Sequence, residues 1–288
     1  MSDFVNTAFV QQYTSNVMML LQQRGSKLRP FVTQGSYTGK AAKCVEQVGQ
    51  VAAQQRTSRH EDTPLVSTPH DARWCFPKDW RVADLIDDED KLRMLINPQS
   101  EYAMAQAYAI GRAMDDEIIS AALGTAKTGE NGTTNTAFGS GQTAATTTGG
   151  LTIQKLREAK TILLANEVDV AFDPLICVVT AAQIQDLLES TEVTSSDYNT
   201  VKALVQGDVD SFMGFKFVHC ERLTVDGSSR RRVIAYAQSG MHLGMWNDIE
   251  SKIGEREDKN YATQVFTRAT FGATRVEEGK IVEILCNE

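Results

Sequence analysis

Between Thr33 and Arg73 lie 41 residues, of which only Tyr37, Val45, Val48, Val51, Leu65 and Val66 are large and apolar. A stretch so poor in apolar surface cannot build a core of its own. Its ends nevertheless read as strands: Gly39 to Val51 on one side, and His70 to Val82, with Trp74, Phe76 and Trp80 alternating, on the other. The polar run from Arg56 to Thr63 lies between them as a tip. The pattern predicts a long two-stranded arm. Isolated hairpins are marginal in water, so the arm needs a cover, and another subunit is the expected one. Arg56, Arg59, Arg73, Trp74 and Trp80 are the expected subunit-contact residues.

Elsewhere the chain can build a core, because 42% of its 288 residues are hydrophobic and 23% charged, ordinary globular usage that excludes wholesale disorder. Val10, Tyr13, Val17, Leu20 and Leu21 fall at helical spacing and predict an amphipathic helix or arm from Asn6 to Arg24. Asn97-Pro98 is a helix start. Ala103, Ala107, Ile110, Met114, Ile118 and Ala121 then recur every three or four residues until Gly124. One helix from about Pro98 to Leu123 follows, on the order of 40 Å long at about 1.5 Å per residue. From Asp84 to Glu117 nine acids face three bases, a difference of −6 out of a chain total of −8.

The Thr/Gly/Ala tract from Thr125 to Gly150 reads as an extended loop. Thr152 caps a helix to about Ala165, Pro174 to Val179 is a short buried strand, and Thr180-Ala-Ala-Gln183 is a capping box opening a helix through Leu188. Phe212 to His219 and Val233 to Gln238 read as strands joined across Asp226-Gly227. Met241 to Trp246, Tyr261 to Val276 and Lys280 to Cys286 continue as strands, with a turn at Glu278-Gly279, so the last third is expected to be mostly antiparallel sheet.

No catalytic, cofactor-binding or metal residue is assigned. Net charge −8 argues against a general phosphate-binding face. Gly35-Ser-Tyr-Thr-Gly39-Lys40-Ala41 is one residue short of a phosphate loop and has Ala where a hydroxyl is needed. Gly139-Ser-Gly141 and Gln238-Ser-Gly240 do not make a nucleophile elbow. His60, His70, His219 and His242 stand apart from one another, and the acids 87–90 lack the alternation and central Gly of a calcium loop. Arg230-Arg-Arg232 reads as a polar turn. The five cysteines, at 44, 75, 177, 220 and 286, include no CxxC pair and read as free thiols in a reducing cytoplasm. No run is long and apolar enough for a membrane span, and no signal peptide is visible. An unrelated α/β enzyme with a site around His219 and Asp248 is the remoter alternative.

The order of parts resembles the tailed-bacteriophage major capsid protein family. The likeness runs from Gln22-Gln-Arg-Gly-Ser-Lys-Leu-Arg29 through Glu61-Asp-Thr-Pro64, Asp84-Leu-Ile-Asp-Asp-Glu-Asp90 and Ala109-Ile-Gly-Arg-Ala-Met-Asp115. It continues through Gly207 with Phe212-Met-Gly-Phe215 to Thr270-Phe-Gly-Ala-Thr-Arg275. The resemblance implies an α+β Hong Kong-type phage capsid fold. Residues 1–32 would be the N-arm, 33–83 the extended loop, 84–150 the peripheral domain with its spine helix and Thr-rich loop, 151–240 the axial domain, and 241–288 the peripheral return strands. It further implies a structural role, with hexamers and pentamers closing into an icosahedral virion shell around double-stranded DNA, assembled in the host cytoplasm with a portal. A scaffolding protein is expected as a separate chain, since no fused scaffold segment precedes the arm. An encapsulin-like compartment shares the fold and is the alternative within it. Some members join subunits by a Lys–Asn isopeptide bond; Lys40, Lys43, Asn247 and Asn260 match no local motif for it, and non-covalent assembly is expected. Asp115, Asp116 and Glu117, placed where the helix dipole disfavours them, are expected to line the inner surface of the shell.

Overall fold

The computed structural model describes residues 22–55, 57–59, 62, 65–86, 99–144, 149–189 and 211–288. The expected N-terminal helix up to residue 21, Arg56, His60, the acids 87–90 and the Asn97-Pro98 helix start lie outside these residues. The strands are β1 (Thr33–Ser36), β2 (Ala42–Val48), β3 (His70–Cys75), β4 (Lys78–Ile86), β5 (Ala126–Thr128), β6 (Thr134–Thr136), β7 (Thr143–Ala144), β8 (Leu175–Val179), β9 (Ser211–Phe212), β10 (Phe215–His219), β11 (Arg230–Ala237), β12 (Met241–Arg256), β13 (Ala262–Arg275) and β14 (Ile281–Asn287). Among the described residues three α-helices stand between them: α1 (Gln99–Leu123), α2 (Ile153–Ala165) and α3 (Ala181–Glu189).

Three sheets result, in the orders β1-β12-β13-β4, β7-β14-β11-β8-β10-β9 and β2-β3-β5-β6. Pro77 explains one departure from expectation. The run from His70 to Val82 is not one strand: after Phe76-Pro77, where proline has no N–H to give a ladder, β4 leaves the hairpin and pairs antiparallel with β13. The arm is therefore β2 and β3 only. It is also not two-stranded at its root, since β3 pairs with β5 through Arg73↔Thr128 and Trp74↔Lys127, and β5 pairs with β6. The Thr-rich tract supplies those two strands together with β7, so it is not wholly a loop.

A second departure concerns β10 and β11. They are not partners; β8 lies between them, parallel to β10 and antiparallel to β11. Asp226-Gly227 makes a local turn, in which the Asp226 carboxylate accepts from the amides of Ser228 (2.9 Å) and Arg230 (2.8 Å). Every residue of β8 is buried, as befits a strand covered on both faces.

The helices start where their caps place them. Thr152 accepts from the Lys155 amide at 3.4 Å, and the Gln183 side chain reaches back to the Thr180 amide at 3.0 Å. One continuous core joins Ile110, Met114 and Ile118 of α1, Leu156 and Leu163 of α2, and the central strands of the largest sheet. None of the helices in the described residues is long and apolar enough to cross a membrane.

Candidate subunit interface

The arm is held by pairing from Ala42↔Cys75 to Val48↔His70, and Gly49 adds a last rung by donating to the Pro69 carbonyl at 2.8 Å. Beyond that rung the described residues form no strand. Val48, Val51, Leu65 and Val66 are exposed there, with Val48 at 65% and Leu65 at 99%. These are four of the stretch's six large apolar side chains, and all four lie from the last residue of β2 to the start of β3. A second group, Leu85, Ile253 and Tyr261, is exposed toward the far end of β4, β12 and β13.

The residues expected to make subunit contacts are not one cluster. Arg59 is exposed at the tip. Arg73 is only 5% exposed and is used within the chain: it donates to Glu278 at 2.8 Å and to Gln47 at 3.2 Å, tying the arm's root to the turn before β14. Trp74 donates through Nε1 to the Gly129 carbonyl at 2.7 Å. Its ring fills the space where Gly132 has no side chain, for a Cβ there would stand 2.7 Å from Cγ. Trp80 lies in a different sheet, stacked on Phe271 at 6.0 Å between ring centroids, with part of its face open.

The acids of α1 correct another expectation. Asp115 is completely buried, and its carboxylate accepts from the amides of Lys27 (3.0 Å) and Leu28 (3.1 Å) as well as from the side chains of Gln23 and Ser26. One turn earlier, Gly111 lets the chain pass over the helix, since a Cβ there would meet the Gly25 carbonyl carbon at 2.6 Å. Arg112 adds a bond to the Gln23 carbonyl at 3.2 Å. Asp116 pairs with Arg222, and Glu117 with Lys78 of β4 at 2.7 Å. Each acid has a cationic or N–H partner in its own chain, which offsets the unfavourable helix dipole. They fasten residues 22–32, β4 and the segment after β10 to the helix, and are not a free acidic lining.

Two buried cations that the sequence reading did not single out hold junctions. Arg275 has no exposed surface and donates to the carbonyls of Ala122 (3.0 Å), Gly124 (2.7 Å) and Thr136 (3.1 Å), closing the C-terminal end of α1 from β13. Burial presses its pKa down, and Glu278 acts against that. Lys155 donates to the carbonyls of Gly149 (2.7 Å), Gly150 (2.9 Å) and Leu285 (2.8 Å), and burial lowers its pKa as well. A lone Lys in an amphipathic helix and an Arg ending a strand give no sequence signal of such roles.

The structure keeps the two residues of the enzyme reading apart. His219 bonds Glu221 at 2.7 Å and Asp248 pairs with Arg29 at 3.1 Å, so the two residues of the enzyme reading have separate partners. Among the described residues no group of three or more side chains is arranged to hold a metal ion.

A family model described as phage capsid protein matches residues 5–288. The chain belongs to the phage capsid protein family. It is a structural capsid protein, and its place is the virion capsid. Comparison with curated proteins gives no match. Solved structures with the same fold include the capsid of cyanophage P-SCSP1u, at 14% identity and TM-score 0.76, covering 99% of this chain and 95% of that one. The cyanophage Pam1 capsid is similar at 12% identity and TM-score 0.73, covering 100% and 99%. A structure of Mycobacterium phage Che8 is similar at 16% identity and TM-score 0.71, covering 97% of each chain. The architecture is therefore the α+β Hong Kong-type capsid fold that the sequence resemblance implied.

Proposed function

We propose that this capsid protein assembles with copies of itself, as hexamers and pentamers, into an icosahedral shell that encloses double-stranded DNA. The single observation that carries the reading is the projecting arm, whose exposed Val48, Val51, Leu65 and Val66 have no cover within the described residues of the chain. Burying such side chains is worth about 1.5–3 kcal/mol each, so four of them supply a contact that repeats around a ring of subunits. In this reading residues 1–32 are the N-arm and 33–83 the extended loop. Residues 84–150 and 241–288 form the peripheral domain, and 151–240 the axial domain. DNA is held by enclosure, consistent with a net charge of −8. A scaffolding protein and a portal take part during assembly in the host cytoplasm.

The experiment is removal of residues 50–68, joining the strands by a short turn. The rung from Gly49 to Pro69 shows that the chain ends there are already adjacent. The expected product is a folded subunit that sediments as monomers or small rings. Closed shells of normal size from this variant would remove the arm from the account.

A further inference from the structure

Cys44 sits at an irregularity in the arm's root. The register passes from Lys43↔Trp74 to Val45↔Arg73, leaving Cys44 as the extra residue of a bulge with no residue opposite. A bulge re-aims the side chain it carries. Here the Cys44 thiol turns back along β2 and donates to the Ala42 carbonyl at 3.7 Å, and Ala42 is the residue that pairs with Cys75 of β3. The Cys75 sulfur is fixed in a slot between two glycines: a Cβ at Gly244 or Gly272 would lie 3.3 or 3.1 Å from it. His242 is fixed in turn. Thr33 gives its only hydroxyl proton to the Met241 carbonyl at 2.6 Å, so the His242 Nδ1, 3.0 Å from that oxygen, is the donor of the pair. Its Nε2 lies 2.8 Å from the Tyr37 hydroxyl. Cys44 is half-buried and within reach of a small solute, while Cys75 behind it is closed off.

We propose that Cys44 and Cys75 are a peroxide-sensitive dithiol that closes to a disulfide across the root of the β2–β3 arm. The neighbouring Cys75, against an opposing push from burial, and the nearby His242 hold the Cys44 thiol well below its usual range, which favours the nucleophilic thiolate; the Cys75 thiol is raised. The Cys44 thiolate attacks one oxygen of hydrogen peroxide. The S–O bond forms, the O–O bond breaks, and the departing hydroxide takes up the thiol's proton as water. The Cys75 sulfur then attacks the Cys44 sulfenic acid: the S–S bond forms, the S–O bond breaks, and hydroxide leaves with the Cys75 proton as a second water. Two thiols give up two electrons and two hydrogens, and one peroxide becomes two waters. The remaining cysteines supply an internal control. Cys177, Cys220 and Cys286 are fully buried, and burial raises all three thiols. The disulfide would close the entire arm into a loop, restricting it whether or not a neighbour covers it.

The test treats the full-length chain with hydrogen peroxide, then counts free thiols and maps peptides without reduction. The expected result is a fall from five free thiols to three, with a single linked pair of peptides carrying Cys44 and Cys75, reversed by dithiothreitol. In C75S the same dose leaves Cys44 as a sulfenic acid trapped by dimedone. Should that variant fail to fold, the wild-type peptide map decides alone. Cys44 going on to sulfinic acid with Cys75 still free, linkage through Cys177, Cys220 or Cys286, or no thiol loss at a dose that oxidises free cysteine would each overturn the proposal.

Discussion

Replacing Asp115 by Ala removes the acceptor that two backbone amides and two side chains share. The amides of Lys27 and Leu28 are the costly ones, because Leu28 is 1% exposed and packs in the core beside α1. A buried donor left unsatisfied costs about 1–3 kcal/mol, so the pair loses about 2–6 kcal/mol. The Ser26 hydroxyl and the Gln23 amide belong to partly buried side chains that can turn to water and add little. Against a total stability of about 5–15 kcal/mol the subunit remains folded, but residues 22–32 come off the helix. Urea unfolding should show the loss, and limited proteolysis should cut at Arg24, Lys27 or Arg29 at rates at least about tenfold above wild type, since 1.4 kcal/mol is a factor of ten. G111A supplies a second route to the same displacement. Its Cβ would collide with the Gly25 backbone, and overpacking of this kind costs about 1–3 kcal/mol. Both changes release one segment, so the double variant should lose clearly less than the sum. A D115A chain within about 0.5 kcal/mol of wild type, or an additive double variant, would refute the anchoring role.

R275M leaves the carbonyls of Ala122, Gly124 and Thr136 without their donor and should cost about 3 kcal/mol in urea unfolding, with the end of α1 fraying first in hydrogen exchange. E288Q tests a pH dependence. Hydrogen bonds from Arg231, then Gln183 and Thr180, hold the Glu288 carboxyl at about 2 against an ordinary 4.5, so the folded chain binds fewer protons than the unfolded one between those values. The stability that Glu288 adds is whole above about pH 4.5 and disappears as pH falls through about 2, and the gap between wild type and E288Q should close over that window. A gap that stays constant across it would refute the linkage.

The parts legible in the sequence were those governed by local rules. The caps at Thr152 and Thr180 and the end at Gly124 locate the three described helices to within a residue or so, because capping is decided by neighbours in the chain. Sheet order was not legible. β8 enters between β10 and β11, and β1 runs parallel to β12, because pairing depends on crossovers that short apolar runs do not encode. β12 continues to Arg256, well past the apolar run ending at Trp246, since pairing with β13 sustains a polar strand that propensity alone would end. Of the interface, the arm was visible as a deficit of apolar residues. Which side chains stay exposed on it was not: Arg73 and Trp74 look like surface anchors in sequence, yet the turn at 277–280 and the strand β5 engage them. The tie through Asp115 was hidden because its partners lie about 90 residues earlier in the chain.

The most direct measurement is a cryo-electron microscopy reconstruction of particles formed by the purified chain. The account predicts closed shells built of rings of this subunit, with Val48, Val51, Leu65 and Val66 of each arm buried against a second copy. Closed shells in which these four side chains face solvent would contradict it.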